Sequence, residues 1–334
     1  MNNKQNSDQN AKSCPTFKTK IGGQALIEGI MMKGVSKTAM AVRMPDGSLD
    51  VETWENKAPK WYNKTPFVRG IFNFISSMKE GMQCMTKSAE KSTLHDEKEE
   101  LTKFEKWLTE KLGENGTKII MDIAVFLGFA LAILLFFFLP TIIVSGIQLL
   151  IHTDFNFRPL VETIIKIGIF IIYIALMSRL NDIHRTFQYH GAEHKTITCY
   201  ENRLELTVDN IKKQIRFHPR CGTSFIFIIF IVSIIFYSLL PFGKDFFIAL
   251  GLPSLLADLA WIVVRLLFLP VIVGISYELI RLAGRYDNIF TKIISAPGLW
   301  MQRLTTKEPD ASQIEAAIAA ITPVLPKEGE DDTW

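Results

Sequence analysis

Four long apolar stretches limit the folds that are open to this chain of 334 residues. A helix needs about 20 apolar residues to cross a lipid bilayer, and each stretch approaches that length. The stretches run from Ile119 to Leu139, from Val161 to Leu180, from Thr223 to Leu240 and from Leu259 to Ile280. The sequence therefore predicts an α-helical polytopic membrane protein with about four transmembrane helices. Residues 119–281 form its predicted transmembrane domain.

Two interruptions qualify this picture. Apolar character continues from the first stretch to Ile151, so Pro140 is predicted to end or kink the first helix, with the remainder tilted or near the outer interface. Residues 241–258 are also apolar, but they contain Gly251 and Pro253. These two residues favour a re-entrant or interfacial segment over a fifth span.

The basic residues predict the orientation of the chain in the membrane. Between residues 179 and 222 the chain carries Arg179, Arg185, Lys195, Arg203, Lys212, Lys213, Arg216 and Arg220. The other two connections between spans carry little beyond Arg158 and Lys244. Because basic loops stay in the cytoplasm, the segment 180–222 is predicted to be cytoplasmic. An even number of spans then places both the N- and the C-terminus in the cytoplasm.

Composition excludes other classes of protein. The net charge is only +3, which argues against a nucleic-acid partner. Residues 1–20 are predicted to be a disordered leader, since residues 1–14 are polar and have no apolar core of a secretory signal. The cysteines at positions 14, 84, 199 and 221 lie too far apart for a small-domain disulfide framework, so reduced thiols are expected.

Residues 21–118 are predicted to form a small cytoplasmic α+β region. Two alternating runs flank Pro45-Asp46-Gly47, which predicts a β-hairpin. Apolar side chains recur at helical spacing from Phe67 to Glu90 and predict an amphipathic helix. This helix either lies on the membrane surface, packs against a partner helix, or is an ordinary helix of the domain. The segment from Ser92 to Lys118 is predicted to be a solvated helical linker.

Residues 282–334 are predicted to contain a cytoplasmic C-terminal helix and an acidic tail. Asp310 precedes the segment ASQIEAAIAAI and is a good N-cap for a helix.

The segment YHGAEHKTITCYE, residues 189–201, contains a candidate metal site. His190 and His194 are four residues apart, so on a helix both imidazoles project from one face and can bind one divalent ion. Glu193 completes an H-x-x-E-H pattern, in which the glutamate acts as a general base and does not bind the metal. Glu201 returns to nearly the same helix face and is a candidate third ligand.

A second cluster lies in the segment FHPRCGTSF, directly before the third span. His218 and Cys221 are three residues apart, a spacing that suits zinc or iron. Thiolate together with imidazole favours a divalent metal such as zinc, with ferrous iron as the alternative. The competing interpretation is an interfacial segment whose histidines hydrogen-bond to the backbone or to lipid phosphate.

Ionisable residues in the fourth span supply further candidates. Glu278 and Arg281 lie at its cytoplasmic end, where they either belong to a functional site or form a simple ion pair. Arg265 lies within the apolar part, where it is predicted to pair with Asp258 or to extend towards the interface.

Several motifs together carry a family resemblance. They are GGQALIEGIMMKG, AVRMPDGSL, YHGAEHKTITCYE, HPRCGTSF, ISYELIRLAGR and PGLWMQRLTTKEPDASQIEAAI. With them the chain resembles the YqhQ-like family of bacterial membrane proteins from about Ile21 to Ile321. The family is commonly described as predicted metal-dependent enzymes of unknown reaction. The resemblance implies a multi-pass protein of the bacterial cell membrane with a metal at His190, His194, His218 and Cys221.

Two functions of different classes remain open. The first is a membrane metal-dependent hydrolase with Glu193 as its base, acting on a peptide bond of a membrane protein or on a lipid-linked ester or phosphoester. The alternative is a non-enzymatic scaffold or assembly factor with a structural metal site, because closed four-ligand zinc sites that include thiolate are usually structural. A transporter is disfavoured, since apart from Arg265 the spans look almost free of ionisable residues. The oligomeric state is left open.

Overall fold

The computed structural model describes residues 17–93, 116–151, 158–286 and 288–333. Most of the predicted leader and of the predicted linker therefore lies outside the described residues. Phe17 is the first described residue, and Thr19, which falls within the predicted leader, is buried and pairs with Thr333 in an isolated β-bridge.

A four-stranded antiparallel sheet opens the described chain. Its strands are β1 (Gly22–Leu26), β2 (Gly29–Lys33), β3 (Lys37–Arg43) and β4 (Leu49–Glu55), in the order β1-β2-β3-β4. The predicted hairpin is confirmed as β3 and β4, whose ends pair Lys37 with Glu55 and Arg43 with Leu49. Gly47 has a φ of +83° in the turn, a conformation that glycine adopts without strain.

Helices make up most of the remaining described chain. In order they are α1 (Val68–Thr93), α2 (Gly116–Ile133), α3 (Leu139–Ile151), α4 (Arg158–Met177), α5 (Asn181–Glu201), α6 (Val208–Lys212), α7 (Gly222–Leu239), α8 (Lys244–Ala249), α9 (Ser254–Arg285), α10 (Ile289–Thr305) and α11 (Ala311–Ile321). Asp310 caps α11 as predicted, because its side chain accepts a hydrogen bond from the backbone N–H of Gln313.

Four helical segments are long and apolar enough to cross a membrane, as predicted. They are Ile123–Leu150, Leu160–Met177, Gly222–Leu239 and Ser254–Arg285. The first joins α2 to α3 through a π-helical segment, Leu134–Phe138. Pro140 does not end the helix, because the span continues through it to Leu150. The alternative, that Pro140 kinks the helix, stays a prediction.

The fourth span is longer than predicted. Its helix α9 begins at Ser254, which takes in the end of the apolar segment 241–258, and continues through Pro270 to Arg285. The short helix α8 occupies the remainder of that segment. Lys244 at the start of α8 forms an ion pair of 2.8 Å with Asp258 in α9, so the two helices are tied at this end of the bundle.

The sheet buries apolar side chains on both of its faces, in accord with the alternation of strand residues. On one face Ile30, Met32 and Ala41 pack in a cluster with α5 and α11. On the other face Met31 and Met40 pack with Cys84 of α1. The sheet therefore lies between α1 and the pair α5 and α11, and this arrangement holds α5 in a rigid core.

The amphipathic helix α1 packs against the fourth span. A side chain at Gly70 would collide with Tyr277, since an added Cβ would lie 2.6 Å from the Cβ of that residue. This contact agrees with one of the three placements that the sequence left open for the helix, packing against a partner helix. A stripe on α1 remains exposed: it comprises Phe72, Ile75, Met78 and Met82. Contact of this stripe with the membrane surface stays a prediction.

A buried ion pair joins the second and fourth spans. Arg265 lies 2.6 Å from Glu162, and the two side chains are 6% and 4% exposed. Neither of the predicted arrangements of Arg265 accounts for this pair, because Glu162 is on another helix. Lys166, one turn after Glu162, interacts electrostatically with both residues. The expectation that the spans carry almost no ionisable residue besides Arg265 is therefore wrong.

Candidate metal centre

Helix α5 supplies two of the candidate ligands. The helix spans Asn181–Glu201, so the spacing of four residues brings His190 and His194 onto one face, as the sequence predicts. Their ring centroids are 4.4 Å apart. His194 is buried and His190 is partly buried.

The third candidate ligand, Cys221, lies at the start of α7, where it is the N-cap residue. Its Sγ lies 3.2 Å from Nε2 of His190. Ligand atoms of His190, His194 and Cys221 all lie within 4.8 Å of one another. This is a group of donors that could hold one metal ion.

Backbone carbonyls orient both imidazole rings. Nδ1 of His190 lies 2.8 Å from the carbonyl oxygen of Thr305, and Nδ1 of His194 lies 2.7 Å from that of Arg216. A carbonyl oxygen can only accept, so each Nδ1 carries the proton and donates it. Each Nε2 is thereby left as the ligand atom. Protein metal sites commonly fix the tautomer and orientation of a ligating histidine in this way.

Electrostatics favour the thiolate form of Cys221. Burial raises the pKa of the thiol, but the neighbouring rings of His190 and His194 outweigh burial and hold the pKa well below its usual value. Burial has the opposite effect on the His190 imidazole and lowers its pKa, but the negative charge of the Cys221 thiolate outweighs burial and raises this pKa to about 9. A deprotonated thiol is the form that binds metals.

Glu193 lies beside this group without belonging to it. Its side chain is buried, and burial raises the pKa of its carboxyl group. The charges of His194 and His190, together with a hydrogen bond from the backbone of Gly23, act in the opposite direction. A carboxyl group with a raised pKa is a stronger base, as general-base chemistry near neutral pH requires.

His218 and Glu201 occupy a neighbouring network. Nε2 of His218 lies 3.2 Å from the guanidinium of Arg220 and 3.4 Å from a carboxylate oxygen of Glu201. Arg220 also forms an ion pair with Glu201. Burial lowers the pKa of His218, which leaves its ring neutral, so Nε2 accepts a hydrogen bond from Arg220. These two candidate ligands are thus engaged with Arg220, outside the group of three.

The turn that carries Cys221 is fixed by Gln302 of α10. The Oε1 atom of this buried side chain accepts from the backbone N–H of His218 at 2.7 Å, and its Nε2 donates to the carbonyl of the same residue at 2.7 Å. Sequence reasoning missed Gln302, Thr305 and the carbonyl of Arg216. Motif spacing carries no signal for such contacts, because they join residues far apart in the chain.

Glu278 and Arg281 lie outside the candidate group of three donors, and Arg281 interacts electrostatically with Glu278. Glu278 forms an ion pair with Arg69 of α1, whose Nε lies 2.7 Å from a carboxylate oxygen, and also accepts from the backbone N–H of Phe67 at 3.1 Å. The ion pair between Arg69 and Glu278 therefore anchors the start of α1 to the end of the fourth span.

Gly191 permits the close approach that the centre needs. An added Cβ at this position would lie 2.0 Å from the carbonyl oxygen of Lys307, two residues after Thr305. We expect Gly191→Ala to push the segment that follows α10 away from α5, to lower the free energy of unfolding by about 1–3 kcal/mol and to weaken metal binding. Thermal unfolding and zinc titration of the purified protein measure both effects.

The control for this variant is Gly222→Ala. Gly222 directly follows Cys221, but an added Cβ there meets nothing within 4 Å. This second variant should match the wild type in both measurements. Wild-type stability and zinc affinity in the Gly191→Ala protein would contradict the assigned close contact.

Comparison with known proteins adds two findings. The family model described as "Protein of unknown function (DUF1385)" matches residues 65–327. "Uncharacterized protein YqhQ" of Bacillus subtilis (strain 168) is 33% identical over 316 residues, which are 91% of this chain and 92% of that protein. No solved structure is significantly similar to this chain.

Proposed function

This chain belongs to the DUF1385 family of YqhQ-like proteins. Because the description of that family states no function, we propose one from the geometry of the site: the protein is an integral-membrane, metal-dependent hydrolase. The metal would be bound by His190, His194 and Cys221, and Glu193 would be the general base. The four apolar helices support the placement in a lipid bilayer.

One observation carries the proposal: Nε2 of His190 and Nε2 of His194 both lie close to the Cys221 sulfur. Both Nδ1 atoms donate to backbone carbonyls, so both Nε2 atoms lie on the side of the Cys221 sulfur, where a bound ion would replace the proton between Nε2 of His190 and the thiolate. The donor set of two imidazoles and a thiolate fits zinc, and ferrous iron is the alternative.

The number of ligands favours catalysis over a purely structural role. Catalytic zinc sites commonly have three protein ligands and one open position, whereas structural sites have four. His218, which could have been a fourth ligand, faces Arg220 and Glu201. An ion held by the three ligands would supply Lewis acidity at that open position.

Glu193 would accept the proton of the attacking water. Its carboxyl group interacts electrostatically with His194, His190 and Cys221, which supports a place near the donor group, and its raised pKa suits a base that accepts a proton from the attacking water. The backbone N–H of Gly23 would hold the carboxylate in place during this transfer.

The reaction would take place at the cytoplasmic face of the membrane. The excess of lysine and arginine between residues 179 and 222 supports this side, with both termini in the cytoplasm of a bacterial cell. The substrates would be a membrane-protein peptide bond or a lipid-linked ester or phosphoester.

Glu193→Gln tests the proposal. Full-length protein in proteoliposomes is loaded with zinc and assayed with a fluorogenic casein peptide, a p-nitrophenyl ester and bis-p-nitrophenyl phosphate. We expect the variant to keep the zinc content of the wild type and to lose at least about 100-fold in rate, because only the base is removed. Glu205→Gln, an exposed carboxylate just after α5, is the matched control and should keep both properties.

A structural metal site in a membrane scaffold is the second candidate. The burial of His194 and Cys221 favours it, because a closed interior site limits access of a substrate. The same assay separates the two functions. A zinc-loaded wild type that hydrolyses none of the three probes, or a Glu193→Gln protein that loses zinc, would favour the scaffold.

A further inference from the structure

Helix α10 has two chemically different faces. Its inner face is buried and comprises Thr291, Ser295, Gly298, Met301, Gln302 and Thr305. This face builds the metal centre, since Gln302 holds the turn before Cys221 and the carbonyl of Thr305 orients His190.

The opposite face of α10 is exposed and apolar. Ile289, Phe290, Ile293 and Trp300 are 76%, 63%, 64% and 50% exposed. Ile289, Ile293 and Trp300 recur at helical spacing, so they form one stripe. We call these four side chains the outer face of α10. Such a large apolar stripe on a helix that is otherwise well packed marks a binding surface.

The position of this face points to lipid. Helix α10 begins at Ile289, directly after the fourth span ends at Arg285. The connecting residues reach at most about 10–14 Å, and Ile294 of α10 packs with Ile228 and Val232 of the third span, so the outer face starts beside the spans. Helix α10 itself does not cross the membrane, because it has 17 residues and contains Lys292, Gln302 and Arg303.

We propose that the outer face of α10 lies in the headgroup region of the bilayer, on the side where the fourth span ends. Phe290, Ile293 and Trp300 insert towards the acyl chains, and tryptophan is the side chain that favours this boundary. Lys292 and Arg303 flank the stripe with positive charge, which complements anionic lipid phosphates. The occupant of the face is therefore the lipid surface itself.

Lipid binding by α10 couples the metal centre to the membrane. The same helix that touches lipid on one side positions His190 and the turn of Cys221 on the other, within the thickness of one helix. The centre is thus held at the membrane surface, where a lipid-linked or membrane-anchored substrate reaches it. That consequence rests on the proposed function, whereas the contact with lipid does not.

Site-directed spin labelling of the full-length protein tests this contact. Labels are introduced through Ile293→Cys and, separately, Trp300→Cys in a Cys14→Ser background, in which Cys84, Cys199 and Cys221 are buried. The protein is placed in nanodiscs of phosphatidylcholine and phosphatidylglycerol. Oxygen, which partitions into lipid, and a water-soluble nickel complex then report the surroundings of each label.

We expect greater relaxation by oxygen than by nickel at residues 293 and 300, with a depth of about 5–10 Å below the lipid phosphates. Glu328→Cys, at an exposed position near the C-terminus, is the control and should show the reverse order. Nickel accessibility at residue 293 equal to that of the control overturns the proposal. Protection from both reagents also overturns it, because a second protein chain then covers the face. If one labelled variant fails to fold, the other decides.

Discussion

Replacing His190 by alanine or Cys221 by serine is expected to abolish zinc binding by the purified full-length protein. The wild type should bind about one zinc per chain, because three of the four ligands of a tetrahedral site are preassembled. Each replacement leaves only two protein ligands and an unpaired neighbour, which cannot retain a divalent ion through purification. Zinc content by plasma mass spectrometry measures the loss directly.

Thermal unfolding gives an independent readout of the same prediction. Zinc that binds only the folded protein adds about 2.7 kcal/mol at a free concentration of 100 times its dissociation constant. The unfolding temperature of the wild type should therefore rise on addition of zinc, and that of the two variants should not.

Two other histidines serve as controls for the ligand set. His184 lies on the same helix as His190 but is exposed, so His184→Ala should keep both the zinc and the zinc-dependent stabilisation. His218→Ala should also keep zinc, because the ring faces Arg220 and Glu201. Loss of zinc from the His218→Ala protein would contradict the three-residue site and restore the larger ligand set that the sequence allowed. Full zinc content in the His190→Ala protein would contradict the site altogether.

The sequence predicts the membrane architecture and one half of the candidate metal centre because both depend on local patterns. A span is recognised from about 20 consecutive apolar residues. The alignment of His190 with His194 follows from helical periodicity alone. The hairpin is equally local, since it follows from the two alternating runs that flank Pro45-Asp46-Gly47.

The other half of the centre depends on contacts between distant residues. His218, Cys221 and Glu201 were equally plausible ligands by spacing. The choice among them is made by Gln302, which fixes the turn before Cys221 from 84 residues away, and by Arg220, which engages Glu201 and His218. One signal was available: Gly191, between two candidate site residues, indicated that another backbone approaches α5 closely.

The ion pair of the spans was missed for a related reason. Hydropathy is averaged over a window of residues, so the charged residues Glu162 and Lys166 hardly change the mean hydropathy of the apolar stretch that contains them. Which face of the second span meets Arg265 depends on how the helices rotate against each other, and a single span does not determine that rotation.

Replacing Glu162 by glutamine is expected to lower the free energy of unfolding by about 3–5 kcal/mol, the cost of leaving a buried charge without its partner. The variant removes the negative charge from a group that also contains Arg265 and Lys166, so two cations remain together among the spans. Arg265→Met should cost less, since Lys166 lies one turn from Glu162 and can neutralise the remaining carboxylate.

The double variant Glu162→Gln, Arg265→Met should recover most of the loss caused by Glu162→Gln alone, because it restores the net charge of the group. Unfolding in mixed detergent micelles, measured for all four proteins, gives the free energies. The exposed pair of Lys87 and Glu52 is the control, and Lys87→Met should change stability by no more than about 1 kcal/mol. A double variant whose loss equals the sum of the two single losses would contradict the prediction, because it would show that the charges of Glu162 and Arg265 are not coupled across the spans.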